Sequence, residues 1–198
     1  MAEETEIINE ISDWVIETVC SQLKEWQDQG YSLVPISVNL SAKTLMKADL
    51  VDKIQKYLTK YSIRPSLIEI EITEESIIKS EGFGLSTIQQ LRDMGHAFAL
   101  DDFGTGFSSI GYLKRFQVDY LKIDRSFIMD IHKSDEDLTI LKSIILLSKG
   151  FGLKVVAEGV EDERQWKLIK KLNCHYIQGF LFSKPLPVEA FSKLLHLL

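Results

Sequence analysis

Apolar positions along this chain switch repeatedly between helical and strand-like spacing. Ile7, Ile8, Ile11, Trp14, Val15, Val19, Leu23 and Trp26 recur at helical intervals before Gly30 and predict one amphipathic helix over 4–29. A mainly apolar run over 33–40 reads as a strand. Leu45, Leu50, Ile54 and Leu58 return to the helical period, until Arg64-Pro65-Ser66 breaks it ahead of a second strand over 67–72. The alternation continues with a helix over 85–94 closed by Gly95, a strand over 96–100, a glycine-rich loop, and a short helix near 110–115. A strand over 120–123, a helix over 135–149 ending at Gly150, and a strand over 155–157 follow. Helix 161–172, a short strand over 175–177 and a closing helix over 188–198 complete the pattern.

Six strands, each followed by a helix and with no low-complexity linker between them, predict an α/β chain built on a parallel sheet. Val155-Val156-Ala157 and Phe98-Ala99-Leu100 lack polar alternation, as strands covered on both faces do. Two arrangements fit: an open doubly wound sheet, or a (β/α) barrel, whose eight strands take about 250 residues. Against the barrel, the chain is short by roughly two strands.

Composition narrows the function. The chain has 198 residues, 45% hydrophobic and 26% charged, which suits an ordinary globular domain. Its net charge of -6 has the wrong sign for a protein held to DNA or RNA polymers by phosphate neutralisation, though acidic proteins reach phosphates through metal ions. The longest aliphatic stretch, Ile144 to Leu147, is far too short to span a membrane. The start Met1-Ala2-Glu3-Glu4 shows no secretory signal. With only Cys20 and Cys174, both read as inert packing thiols, the expected compartment is a reducing cytoplasm.

The chemistry lies where strands end. Asn39, Glu71, Asp101, Asp102, Lys122, Glu158 and Gln178 all fall at or just past the C-terminal ends of the predicted strands. Apart from the adjacent pair Asp101–Asp102, successive separations of 32, 30, 20, 36 and 20 residues are close to the length of one or more βα units, so a parallel sheet carries the set to one rim. Taken singly, an acid after a strand is more often a helix cap, as for Asp102 or Glu161, and Glu69 with Glu71 can mark any half-exposed strand face. Lys122, enclosed in Tyr-Leu-Lys-Ile-Asp, needs a carboxylate partner or a catalytic task. Four carboxylates converging on a rim repel one another unless a cation lies among them, and oxygen ligands with one amide suit Mg²⁺ or Mn²⁺.

Other motifs carry less. Asp102-Phe-Gly-Thr-Gly-Phe-Ser-Ser109 has glycines and hydroxyls able to cradle phosphate. As a dinucleotide fingerprint it lacks the third glycine and opens on an acidic pair. Four scattered histidines make no HExxH, Cys174-His175 is too small a zinc cluster, and no nucleophile elbow is present.

Val38-Asn39-Leu40-Ser41, Glu71-Ile-Thr-Glu74, Asp101-Asp-Phe-Gly-Thr-Gly106, Lys122-Ile-Asp124, Glu158-Gly-Val-Glu161 and Gln178-Gly179 together resemble the EAL domain family, bacterial cyclic di-GMP phosphodiesterases. The resemblance runs from about Ala2 to the C-terminus. It implies a TIM-barrel-like fold and metal-dependent hydrolysis of cyclic di-GMP to linear pGpG in signal transduction, with two Mg²⁺ or Mn²⁺ ions. By this resemblance Asn39, Glu71, Asp101, Asp102 and Glu158 are metal ligands and Lys122 holds or polarises the attacking water. Glu161 and Gln178 orient substrate and water, Glu74 anchors the 102–109 loop, and Thr105 lies against substrate.

The family's strand pair bearing the Glu-Ala-Leu signature is not found in this sequence. The expectation is therefore one EAL-like domain over 1–198 with six of eight strands, lacking the first two. Such a chain is expected to be a weak or inactive catalyst with open sheet edges that favour homo-oligomerisation or pairing with another domain. The alternative is a non-catalytic module that senses cyclic di-GMP or binds a protein partner. A nucleotide oxidoreductase rests on the glycine loop alone.

Overall fold

The computed structural model describes residues 7–80, 82–104, 111, 113 and 116–196. In chain order these form α1 (Ile7–Asp28), β1 (Ile36–Asn39), α2 (Ala42–Leu45), α3 (Leu50–Tyr61), β2 (Ile68–Thr73), α4 (Glu74–Lys79) and α5 (Phe83–Asp93). There follow β3 (Ala97–Phe103), β4 (Tyr120–Ile123), α6 (Asp135–Gly150), β5 (Lys154–Ala157), α7 (Glu163–Lys171), β6 (Tyr176–Ile177) and α8 (Val188–Leu195). The short helix expected near 110–115 falls largely outside the described residues.

The chain clusters into two compact units, one of Met1–Phe98 with Leu186–Leu198 and one of Ala99–Pro185. In the first, β1 and β2 pair in parallel from Ile36 opposite Ile68 to Asn39 opposite Glu71. Ile16, Cys20, Leu23, Val38, Leu45, Ile54, Leu58, Ile70 and Ile72 are buried there. The helical period expected through Leu45 and Leu58 is split into α2 and α3 by a turn at 46–49. Ser41 caps α2 by accepting from the Thr44 amide, and Ser62, in a left-handed conformation at φ 54°, ends α3 where a glycine is more usual. The C-terminal helix α8 belongs to this unit: Trp26 Nε1 donates to Ser192 Oγ at 2.7 Å, and the Trp26 ring lies tilted against Phe191. Burial pushes the Cys20 thiol up to about 11, which disfavours the reactive thiolate.

In the second unit β3, β4, β5 and β6 pair in parallel in chain order. Leu121, Ile123, Val155 and Ala157 are fully buried, and α6 contributes Leu141, Ile144 and Ile145. Alternate positions on β4 and β5, namely Tyr120, Lys122, Lys154 and Val156, form the other face, on which the polar residues stand. β6 is shorter than expected, because His175 lies outside it and accepts the Val155 amide on Nδ1 at 3.0 Å, a side chain standing where a strand carbonyl would.

Candidate functional site

In the first unit the ends of β1 and β2 bring Asn39 and Glu71 directly opposite each other, and the Leu40 amide donates to the Glu71 carbonyl at 2.9 Å. One turn of pairing earlier, Ser37 Oγ donates to Glu69 Oε1 at 2.9 Å. Asn39 is exposed while Glu71 is only 6% exposed, an unusual place for a carboxylate. Thr73 then caps α4 by accepting from the Ser76 amide, so Glu74 is the first residue of that helix, where a negative charge is favoured by the helix dipole. The 105–109 part of the loop that Glu74 is expected to anchor lies outside the described residues, and so does Thr105.

The second unit holds the denser cluster. β3 is expected to stop at Leu100, yet it continues to Phe103 with an irregularity: Leu100 pairs with Leu121 but Phe103 with Ile123, one extra residue on the β3 side. Asp102 occupies this bulge at φ 55°, and its amide donates to Asp101 Oδ1 at 3.0 Å. In a regular strand, consecutive side chains point to opposite faces; the bulge cancels that alternation and turns two adjacent carboxylates toward one place. Carboxylate oxygens of Asp101, Asp102 and Glu158 consequently lie within 4.8 Å of one another.

Lys122 enters this cluster from β4. Its Nζ is 2.7 Å from Glu158 Oε1 and 3.1 Å from Asp101 Oδ1, and its side chain is only 6% exposed. An ammonium so buried is tolerable only when carboxylates replace its hydration, as they do here. Glu158 follows β5, and its amide donates to the Ile123 carbonyl at 3.1 Å, which extends the β4–β5 ladder by one rung. Three carboxylates to one ammonium leave the quartet net negative. With only hard oxygen donors and an exposed edge at Asp102, the set fits a divalent cation of the Mg²⁺, Mn²⁺ or Ca²⁺ type.

Glu161 and Gln178 are exposed and tie into this end of the unit through their backbones. The Gln178 amide donates to Ala157 O at 2.8 Å, and its carbonyl accepts from the Val160 amide at 3.1 Å. The expected helix start at Glu161 shifts to Glu163, because Asp162 is the cap. Gln165, a residue the sequence reading passes over, is buried behind this turn and accepts the Glu161 amide at 2.7 Å. Asp162-x-x-Gln165 is a capping-box pattern and was the available signal.

Comparison with known proteins settles the family. The EAL domain model matches residues 1–185. This chain belongs to the EAL domain family. It is 40% identical over 189 residues to the Pseudomonas aeruginosa bifunctional diguanylate cyclase/cyclic di-GMP phosphodiesterase MucR, covering 96% of this chain and 28% of MucR. It is 37% identical over 195 residues to the cyclic di-GMP phosphodiesterase NbdA of the same organism, covering 98% of this chain and 25% of NbdA. The chain thus spans about a quarter of the length of these relatives. Among solved structures, the PaMucR phosphodiesterase in complex with c-di-GMP superimposes with a TM-score of 0.89 at 40% identity, covering 96% of this chain and 77% of that one. Klebsiella pneumoniae BlrP1, in a manganese and cyclic di-GMP complex, gives 0.78 at 31% identity over 90% of this chain and 44% of that one. The fold is accordingly the α/β, TIM-barrel-like class expected for EAL domains. No helix among the described residues is long and apolar enough to cross a membrane.

Proposed function

We propose that this EAL domain binds a divalent cation and cyclic di-GMP and serves metal-dependent hydrolysis of that dinucleotide to linear pGpG. The observation that carries the reading is the Asp101–Asp102–Glu158 cluster with Lys122 held inside it. MucR and NbdA, named for the same activity, support it. Asp101, Asp102 and Glu158 hold the cation, Mg²⁺ or Mn²⁺ by the donor chemistry. Asn39 and Glu71, paired at the ends of β1 and β2 in the first unit, are assigned by family resemblance as metal-ligating residues in their own right. When bound, divalent cations activate water and neutralise charge on the phosphoryl oxygens during in-line displacement.

The chain's own groups do the rest. Lys122, held between two carboxylates, is assigned to orienting the attacking water and offsetting phosphate charge as it develops. Asp102, at the exposed edge of the bulge, faces incoming substrate. Glu74, Thr105, Glu161 and Gln178 are assigned to loop anchoring and substrate orientation.

Calorimetry of cyclic di-GMP binding in Mg²⁺ and in chelator, paired with hydrolysis assayed by pGpG release, tests the reading. Metal-linked binding with turnover supports the enzyme. Metal-linked binding without turnover replaces it with a sensing module, and no binding in either condition rejects both.

A further inference from the structure

Four backbone amides at and just after Glu158 are held by bonds within the second unit. The Glu158 amide is held by Ile123 O and the Val160 amide by Gln178 O, while the Glu161 and Asp162 amides both donate to Gln165 Oε1, at 2.7 and 3.1 Å. The other end of the same side chain, Gln165 Nε2, donates to the Met129 carbonyl at 3.1 Å. Met129 lies in the turn that follows the single-turn helix Arg125–Phe127, which Asp124 caps directly after β4. One carboxamide, 4% exposed and satisfied at both ends, therefore joins the turn leaving β5 to the turn leaving β4.

Helix capping alone does not account for this. Asp162 Oδ1, accepting from the Arg164 and Gln165 amides, already caps α7, and the bond to Met129 reaches 36 residues back in the chain to an element outside the helix. The packing agrees. Gly159, at φ 69°, presses against Arg125 so closely that a Cβ would lie 2.5 Å from the Arg125 Cβ. Two turns in such contact constrain each other's position, and they follow the strands that place Lys122 and Glu158.

We propose that Gln165 is a positioning residue that fixes the Glu158 carboxylate against Lys122 by strapping the β5 exit turn to the β4 exit turn. It touches neither cation nor substrate; it acts through the backbone on either side of Glu158. The proposal rests on the cation-binding reading of the cluster only for its functional consequence, not for the geometry itself.

The test compares three variants of the full chain. Gln165→Glu keeps an acceptor for the Glu161 and Asp162 amides but loses the donor to Met129 and sets a carboxylate oxygen against that carbonyl. Gln165→Leu loses both ends. Asp162→Ala loses the helix cap and leaves the strap. In cation-free protein, the carbon-13 resonance of the Glu158 carboxyl should shift in both Gln165 variants and stay at its wild-type position in Asp162→Ala. Mn²⁺ affinity should fall about tenfold or more in both Gln165 variants, the range for residues that orient a metal ligand from behind, and change less than about twofold in Asp162→Ala. A wild-type Glu158 resonance in Gln165→Glu, or an equal displacement in Asp162→Ala, would overturn the proposal. If wild-type protein binds no Mn²⁺, the cation reading fails while the Glu158 resonance still decides the strap.

Discussion

Two lysines on one face of the β4–β5 pair meet opposite fates. Lys122, at the C-terminal end of β4, is buried between Asp101 and Glu158. Lys154, at the N-terminal end of β5 and opposite Tyr120, is exposed, with its ammonium 5.4 Å from the Tyr120 ring centre. Tyr120 and then Tyr176 raise the Lys154 pKa, but solvent could carry that charge without them. Lys122 has no such recourse. The same residue type is decoration at one end of these strands and an obligate part of a charge cluster at the other, which separates the chemical end of the unit from its structural end.

The largest break in this contrast should come from Lys122→Met. Two carboxylates lose their buried counter-charge, so we expect a loss of about 3–5 kcal/mol in urea unfolding without divalent cation. Added Mn²⁺ should recover part of that loss. Equal stability of the variant and wild type would show that Lys122 is not the counter-charge.

Gly179→Ala probes the packing of the same end. An added Cβ would lie 2.2 Å from the Val160 carbonyl oxygen, a backbone atom that cannot swing aside. A cost of about 1–3 kcal/mol is expected, read as a lowered unfolding midpoint.

A smaller effect belongs to the first unit, where His96 stands just before β3. The residue is 4% exposed, and its Nδ1 bonds the Ile68 carbonyl at 2.9 Å. Burial holds its pKa below the usual 6.5. The unfolded chain therefore binds the proton first, so the histidine's contribution is complete above pH 6.5 and is lost as pH falls toward the depressed folded value. Urea midpoints between pH 7.5 and 5 should fall less steeply for His96→Phe than for wild type. Identical slopes would mean that folding leaves the His96 pKa unshifted. Smallest of all, Lys154→Met should leave both the unfolding midpoint and Mn²⁺ affinity near wild type; a large loss in either would erase the distinction between the two lysines.

Much of this arrangement was legible in the sequence because strand ends announce themselves. An apolar run closed by Asn39, Glu71 or Glu158, and a lysine enclosed in Tyr-Leu-Lys-Ile, are local signals of a buried strand reaching a polar rim. The bulge was not legible. A positive φ at Asp102 needs no glycine, and the extra residue shows only when β3 is laid against β4. Ending β3 at Leu100 kept Asp101 and Asp102 in the reading but hid why two consecutive acids serve one cluster. Gln165 was hidden for a different reason. A polar residue on an amphipathic helix looks solvated, and one of its hydrogen-bond partners, the Met129 carbonyl, is far away in the sequence. The split of α2 from α3 escaped because the apolar period survives the turn between them.

Mn²⁺ titration of the wild-type chain and of Asp101→Ala by isothermal calorimetry tests the central claim most directly. Saturable Mn²⁺ binding in the wild type, weakened at least tenfold in Asp101→Ala, is the predicted result. Indistinguishable titrations of the two proteins would contradict it.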